Sequence, residues 1–255
     1  MQAILNYELQ NGIPPGWINH SISSSSRTPS GSWARLERGE VPLSPSFFSG
    51  FSSDLHNTNL WSDFYTKKAR ISNPSLPSTI PPLPKIDAEK LFWTMMDESR
   101  HFDPWMYPAL LNLKQSGKFI LAALSNTVIF PSSHPYSKPP PESDIRLLFS
   151  TFISSAHIGL RKPDPTIYAL ALQKCNEVSK AQGKGMVEAG DILFFDDIGE
   201  NLKAAKEFGM RTVKVRLGKT FEAVDELERV TGLRLAGDEP RVPVEVKGGG
   251  RKAKL

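Results

Sequence analysis

Residues 191–208 read DILFFDDIGENLKAAKEF, and Gly209 follows. Asp191–Phe195 is a short apolar run with no polar face, which predicts a strand buried on both sides. Glu200–Phe208 has helical spacing, and Gly209 is a residue suited to ending it. Between strand and helix stand two carboxylates, Asp196 and Asp197. A buried strand passing through a short polar turn into a helix is half of a βαβ unit, so the stretch predicts an α/β fold with a mostly parallel sheet.

Working outward, the same texture holds from Pro108 onward. Pro108–Ser116 predicts a helix, and Lys118–Leu124 (KFILAAL) a second buried strand ending at Ser125. Pro131–Pro141 is a proline-rich excursion containing His134, and Asp144–Phe149 leads to a strand at Thr151–Ser154. Pro165–Lys174 predicts a helix, Arg211–Val215 a strand and Phe221–Thr231 a last helix. Residues 108–235 are therefore expected to form a Rossmann-like core. Residues 1–107 read as a helical region, with helices at Ala34–Glu40, Leu60–Arg70 and Ala88–Arg100, the last capped by Asp87. Ser21–Ser32 and Ser72–Pro84, rich in serine and proline, are expected to be surface loops. Residues 236–255 read as a flexible basic tail.

Composition narrows the function classes. With 255 residues, 39% of them hydrophobic, including 14 Phe and 5 Trp, the chain can bury a core. One cysteine, Cys175, excludes a disulfide framework or a cysteine-based zinc site. The start, MQAILNYELQNG, has neither the basic nor the apolar region of a secretory signal. The longest apolar run, Phe119–Phe130, is interrupted by Ser125 and Asn126 and is too short to span a bilayer, so no membrane association is expected. Net charge is +4, but Lys247, Arg251, Lys252 and Lys254 near the C-terminus carry the same number of positive charges. No basic stripe interleaved with aromatics occurs elsewhere, so no nucleic-acid partner is expected.

In open parallel sheets, ligands gather beyond the carboxyl ends of the strands. The polar residues expected there are Ser125 and Asn126, Asp196 and Asp197, and Lys162 in the intervening GLRKPDP turn. Each suits phosphoryl chemistry. The Ser125 hydroxyl and Asn126 amide can donate to phosphoryl oxygens, and Lys162 can neutralise their charge. Adjacent carboxylates offer hard oxygen ligands for Mg²⁺, which takes one or two and keeps several waters. Taken singly, each residue has a plainer reading: a helix cap for the Asp pair, a turn for Ser125 and Asn126, a solvated side chain for Lys162.

The ordered set LAALSNT, GLRKPDPTIYALAL and ILFFDDIGENLKAAKEFGM, spanning Leu121–Met210, resembles the second, third and fourth motifs of haloacid dehalogenase-like (HAD) hydrolases. It is most similar to the subgroup containing the N-terminal phosphatase domain of soluble epoxide hydrolases. The resemblance implies a parallel-sheet core with a helical cap formed by the preceding segment. It also implies transfer of a phosphoryl group from a small phosphorylated substrate to an aspartate, with Mg²⁺ present. It places Ser125 at the phosphoryl contact with Asn126 beside it, and Lys162 on the phosphoryl and nucleophile charges. Asp197 becomes the first metal ligand, Asp196 a second acid, and Asn201 a supporting residue one helical turn on.

The departure from that pattern is the first motif. No Asp-X-Asp occurs in the 255 residues, and the first aspartate is Asp54. In the family this motif ends the central strand, so its absence is expected to leave two inner sheet edges unpaired, to weaken folding and to remove activity. A first motif lying upstream of Met1 is the favoured expectation. A non-catalytic scaffold and a metal-independent dehalogenase are the alternatives. The chain ends in Ala253, Lys254 and Leu255, which resembles a peroxisomal address read by an import receptor. A peroxisomal or cytoplasmic protein is expected.

Overall fold

A computed structural model describes residues 2–244. It divides into two compact units, residues 2–36 with 41–101, and residues 37–40 with 102–244.

The first unit is helical: α1 (Gln2–Gln10), α2 (Trp17–Ser25), α3 (Ser32–Glu37, its last residue in the second unit), α4 (Pro45–Leu55), α5 (Thr58–Phe64), α6 (Arg70–Ser72) and α7 (Ala88–Glu98). Its core is aromatic, with Trp17 edge-on to Trp61 at 5.2 Å and Phe47 stacked on Phe51 at 5.7 Å. Asp87 caps α7 by accepting from Lys90 N at 2.9 Å, as its position predicts. The buried Glu8 carboxylate accepts from Gly16 N (2.8 Å) and Ile18 N (2.7 Å), which satisfies donors at the start of α2.

Two expectations for this unit change. Ser21–Ser32 does not begin as a loop, because α2 runs through Ser25. Ser21 is buried, its hydroxyl donating to Asp54 O at 2.8 Å, so packing outweighs the low helix propensity of serine. The expected Leu60–Arg70 helix is interrupted by a π-helical turn over Tyr65–Ala69. The Ser72–Pro84 segment has almost no regular structure, as expected, yet it is anchored: Trp61 Nε1 donates to Pro81 O (2.8 Å) and Tyr65 Oη to Pro77 O (3.1 Å).

The second unit alternates helix and strand: α8 (Met106–Ser116), β1 (Ala122–Ser125), β2 (Thr151–Ser154), α9 (Ser155–Ile158), α10 (Pro165–Ala181), β3 (Leu193–Asp196), α11 (Gly199–Glu207), β4 (Arg211–Lys214) and α12 (Thr220–Thr231). All strand pairing is parallel. β1 pairs with β2, placing Ser125 opposite Ser154, and β3 pairs with β4, placing Asp196 opposite Lys214. Among the described residues the sheet is thus two separate pairs, and the second edges of β1 and β3 carry no strand.

The side chains show that the two pairs form one layer with helices on both faces. Leu193 and Phe195 pack with Leu121, α8 and α12, whereas Ile192 and Phe194 pack with Leu124, Ile153, α10 and α11. That alternation is the period-two consequence of strand geometry. Leu124, Leu193, Phe194 and Phe195 are nevertheless only half-buried, because one edge of each strand lies open.

The expected flexible tail also changes. Leu235 N and Ala236 N donate to Glu228 Oε1 at 2.6 and 2.9 Å, Trp105 Nε1 donates to Pro240 O at 3.0 Å, and Val244 N donates to Gly218 O at 2.9 Å. Residues 236–244 therefore lack helix or strand but are pinned to the core, while Ala253, Lys254 and Leu255 lie outside the described residues. No described helix is long and apolar enough to cross a membrane.

Residues 37–40 lie on α9. Gly39 has φ +67°, and a Cβ there would overlap the Ala156 carbonyl oxygen. Gly39→Ala is expected to destabilise this unit by about 1–3 kcal/mol through combined strain and overlap, read as a lower urea midpoint. An unchanged midpoint would mean that residues 37–40 lift freely from Ala156.

Candidate active site

The carboxyl ends of β1 and β3 gather most of the polar residues singled out above. Lys162 and Asp196 are each 8% exposed, and Lys162 Nζ donates to Asp196 Oδ2 at 2.6 Å. Asp196 also accepts from Asn201 Nδ2 at both oxygens (3.2 and 3.1 Å) and from Ile198 N at 2.8 Å. The Lys162 ammonium stands 5.4 Å from the centre of the Phe194 ring, whose negative face adds to its stabilisation. A cation and an anion removed from water are tolerable only when paired and hydrogen-bonded in this way.

Asn126 holds the lysine segment in place. Its Oδ1 accepts from Lys162 N (2.8 Å) and its Nδ2 donates to Lys162 O (3.1 Å), so both amide atoms bond one peptide. Asn126, expected beside the Ser125 phosphoryl contact, tethers the lysine peptide. Ser125, half-buried, ends β1 immediately before it. Thr127 Oγ1 and Ser154 Oγ lie 2.5 Å apart, and Ser155 Oγ accepts from Thr127 N at 2.8 Å, which ties the ends of β1 and β2 together.

Asn201, on α11 and 3% exposed, bonds the strand residue Asp196 across the intervening turn, and its carbonyl accepts from Tyr168 Oη at 2.9 Å. Burial, followed by the Asp196 charge, pushes the Tyr168 phenol far above its ordinary pKa, so it stays a neutral donor. Tyr168 was not singled out from sequence, where it reads as one more large side chain on the buried face of α10. Arg161 was missed too. It pairs with Glu37 across a sequence separation that no local pattern spans.

The acidic pair divides its work. Asp196 accepts from Lys162, Asn201 and Ile198. Asp197 is raised above the ordinary carboxylate value of 3.8, first by burial and then by the Asp196 charge. As the remaining carboxylate it suits one position on Mg²⁺, which needs only one or two protein carboxylates. No cluster of three or more His, Cys, Asp or Glu able to hold a metal occurs among the described residues.

No family model matches the chain. The pig bifunctional epoxide hydrolase 2 is 29% identical over 223 residues, covering 88% of this chain and 34% of that protein. The chain thus spans about a third of the length of this relative. The three motifs lie within that similarity, with their polar residues at the strand ends. In these motifs the chain resembles the haloacid dehalogenase-like hydrolases. Another relative is the mouse acyl-CoA dehydrogenase family member 10, 25% identical over 231 residues, covering 91% of this chain and 18% of that protein.

Matches among solved structures include two HAD enzymes. A HAD-like family hydrolase of Porphyromonas gingivalis has a TM-score of 0.43 at 18% identity, covering 88% of this chain and 89% of that one. A HAD family enzyme of Bacteroides thetaiotaomicron, in complex with magnesium and inorganic phosphate, has a TM-score of 0.39 at 18% identity, covering 84% and 85%.

The raised pKa of Asp197 has a stability consequence. A carboxyl raised in the folded state contributes stability that is present below its unfolded pKa and lost as pH rises through the folded one. At neutral pH the ionised Asp197 therefore works against folding. Asp197→Asn is expected to raise the thermal midpoint at neutral pH, with the gain shrinking as pH falls below the raised pKa. Equal midpoints at neutral pH would show that Asp197 is better solvated than its burial implies.

Proposed function

We propose that this HAD chain supplies the phosphoryl-handling half of a Mg²⁺-dependent phosphatase that works through an aspartyl-phosphate. On this reading the nucleophilic aspartate arrives on a further strand entering between β1 and β3. The observation that carries the reading is the buried Lys162–Asp196–Asn201 network at the strand ends, combined with the absence of any Asp-X-Asp in the 255 residues. The open edges of β1 and β3, with half-buried apolar side chains along them, support a strand in that place.

Each residue then has one task. The Ser125 hydroxyl donates to a phosphoryl oxygen. Lys162 offsets the charge that accumulates on phosphoryl group and nucleophile, which is the largest contribution protein groups make to phosphoryl transfer. Asp196 and Asn126 aim Lys162, one through its ammonium and one through its backbone. Asp197 would hold Mg²⁺, which neutralises phosphoryl charge when bound. The substrate is a small phosphorylated molecule, and the 255 residues alone are inactive.

A form of the protein that includes an apolar strand ending in Asp-X-Asp ahead of Met1 is expected to hydrolyse p-nitrophenyl phosphate in Mg²⁺, and the 255-residue form is not. In the active form, Lys162→Met lowers kcat by about 10²- to 10³-fold. Turnover by the 255 residues alone, or an active form indifferent to Lys162→Met, would overturn the reading. Peroxisomal delivery through Ala253, Lys254 and Leu255 is part of the same proposal. A fluorescent protein carrying these residues at a free C-terminus is expected to collect in peroxisomes, and one lacking Leu255 to stay diffuse. Matching distributions would remove the address.

A further inference from the structure

Lys162 is preceded by a second cation, Arg161, whose role the phosphatase reading leaves unused. Arg161 Nε and Nη2 both converge on Glu37 Oε2, at 2.8 and 2.7 Å. Glu37 is itself buried, and it sits in the 37–40 segment that lies on α9 through the close approach of Gly39 to Ala156. The lysine segment is thus held from three directions. Asn126 fixes its backbone from the end of β1, Asp196 fixes its ammonium from the end of β3, and Glu37 fixes the neighbouring guanidinium.

The third anchor solves a pairing problem. Two adjacent cations and one deeply buried carboxylate, Asp196, admit two arrangements. A guanidinium presents five donors in a rigid fork and binds carboxylates well, so an unengaged Arg161 competes with Lys162 for Asp196. Glu37 engages Arg161 and leaves the compact ammonium at Asp196. An ammonium there is a point charge able to turn toward an incoming anion; a guanidinium locked on Asp196 is not.

We infer that Glu37 is a positioning residue of the phosphoryl site: by holding Arg161 it decides that Lys162, and not Arg161, occupies the buried carboxylate and faces the anion. The inference rests on the phosphoryl-site reading for the identity of the anion, but the pairing itself is independent of it.

The test uses the 255-residue chain with ¹⁵N-labelled lysine. The Lys162 ammonium, buried and bonded to Asp196, is expected to give a slowly exchanging side-chain signal, assigned by its loss in Lys162→Arg. Glu37→Gln and Arg161→Met are two variants that leave Lys162 in place. In Glu37→Gln the Lys162 signal is expected to shift and exchange faster, and inorganic phosphate with Mg²⁺ to bind several-fold more weakly. In Arg161→Met the competitor is gone, so the signal is expected to stay near its original position. Double substitution of Glu37→Gln with Arg161→Met is expected to restore the signal lost in Glu37→Gln alone. A merely structural ion pair predicts the reverse, with both single variants alike and no restoration. Arg146→Met, which removes a surface pair with Asp144 in the same unit, serves as the control and leaves the signal unchanged. An unaltered Lys162 signal in a folded Glu37→Gln protein, or a double variant no better than Glu37→Gln, would overturn the inference. Absence of phosphate binding in the unsubstituted protein would count against the phosphatase reading alone, because the Lys162 signal still decides the pairing.

Discussion

The buried ion pair between Lys162 and Asp196 organises the second unit. Alone, such a pair adds little net stability, because removing both charges from water costs about as much as their attraction returns. Breaking it is different: an unpaired charge left behind costs about 3–5 kcal/mol, a large share of a domain's usual 5–15 kcal/mol. The surrounding structure is therefore arranged to keep both partners in place. Asn201 and Ile198 saturate the carboxylate, Phe194 lies beneath the ammonium, and Asn126 grips the lysine peptide.

That arrangement explains why the site sits where the sheet is least complete. β1 and β3 each pair on one side only, and the segments after them meet through Lys162 and not through a shared ladder. Polar tethers at the carboxyl ends, with hydrophobic clusters on both faces, hold two strand pairs as one layer. A cation fixed in a dry surrounding interacts more strongly with an arriving charge than one in water, and the same tethers fix Lys162 in this way.

The two carboxylates at the end of β3 show how neighbouring residues of one type diverge. Asp196 points into the lysine and amide donors. Asp197, one residue later, meets burial without comparable partners, and its pKa rises. Identical side chains thus differ in partners and in titration, decided by which donors each meets.

Much of this was legible in the chain itself. The apolar runs KFILAAL and DILFF, the helix with its closing Gly209, and the polar residues after each strand follow from periodicity and turn chemistry, which are local properties. β2 was expected near Thr151–Ser154 and found there. Tertiary structure alone decided the rest. That Asn126 bonds the Lys162 peptide, that Asp196 meets a lysine, that Ser21 is buried in a helix, and that Pro240 accepts from Trp105 all depend on partners distant in sequence. A side chain's type and spacing state what it is able to bond. Which partner it receives is fixed only when packing brings separate segments together, because the cost of burying a polar group is paid or avoided there and nowhere earlier.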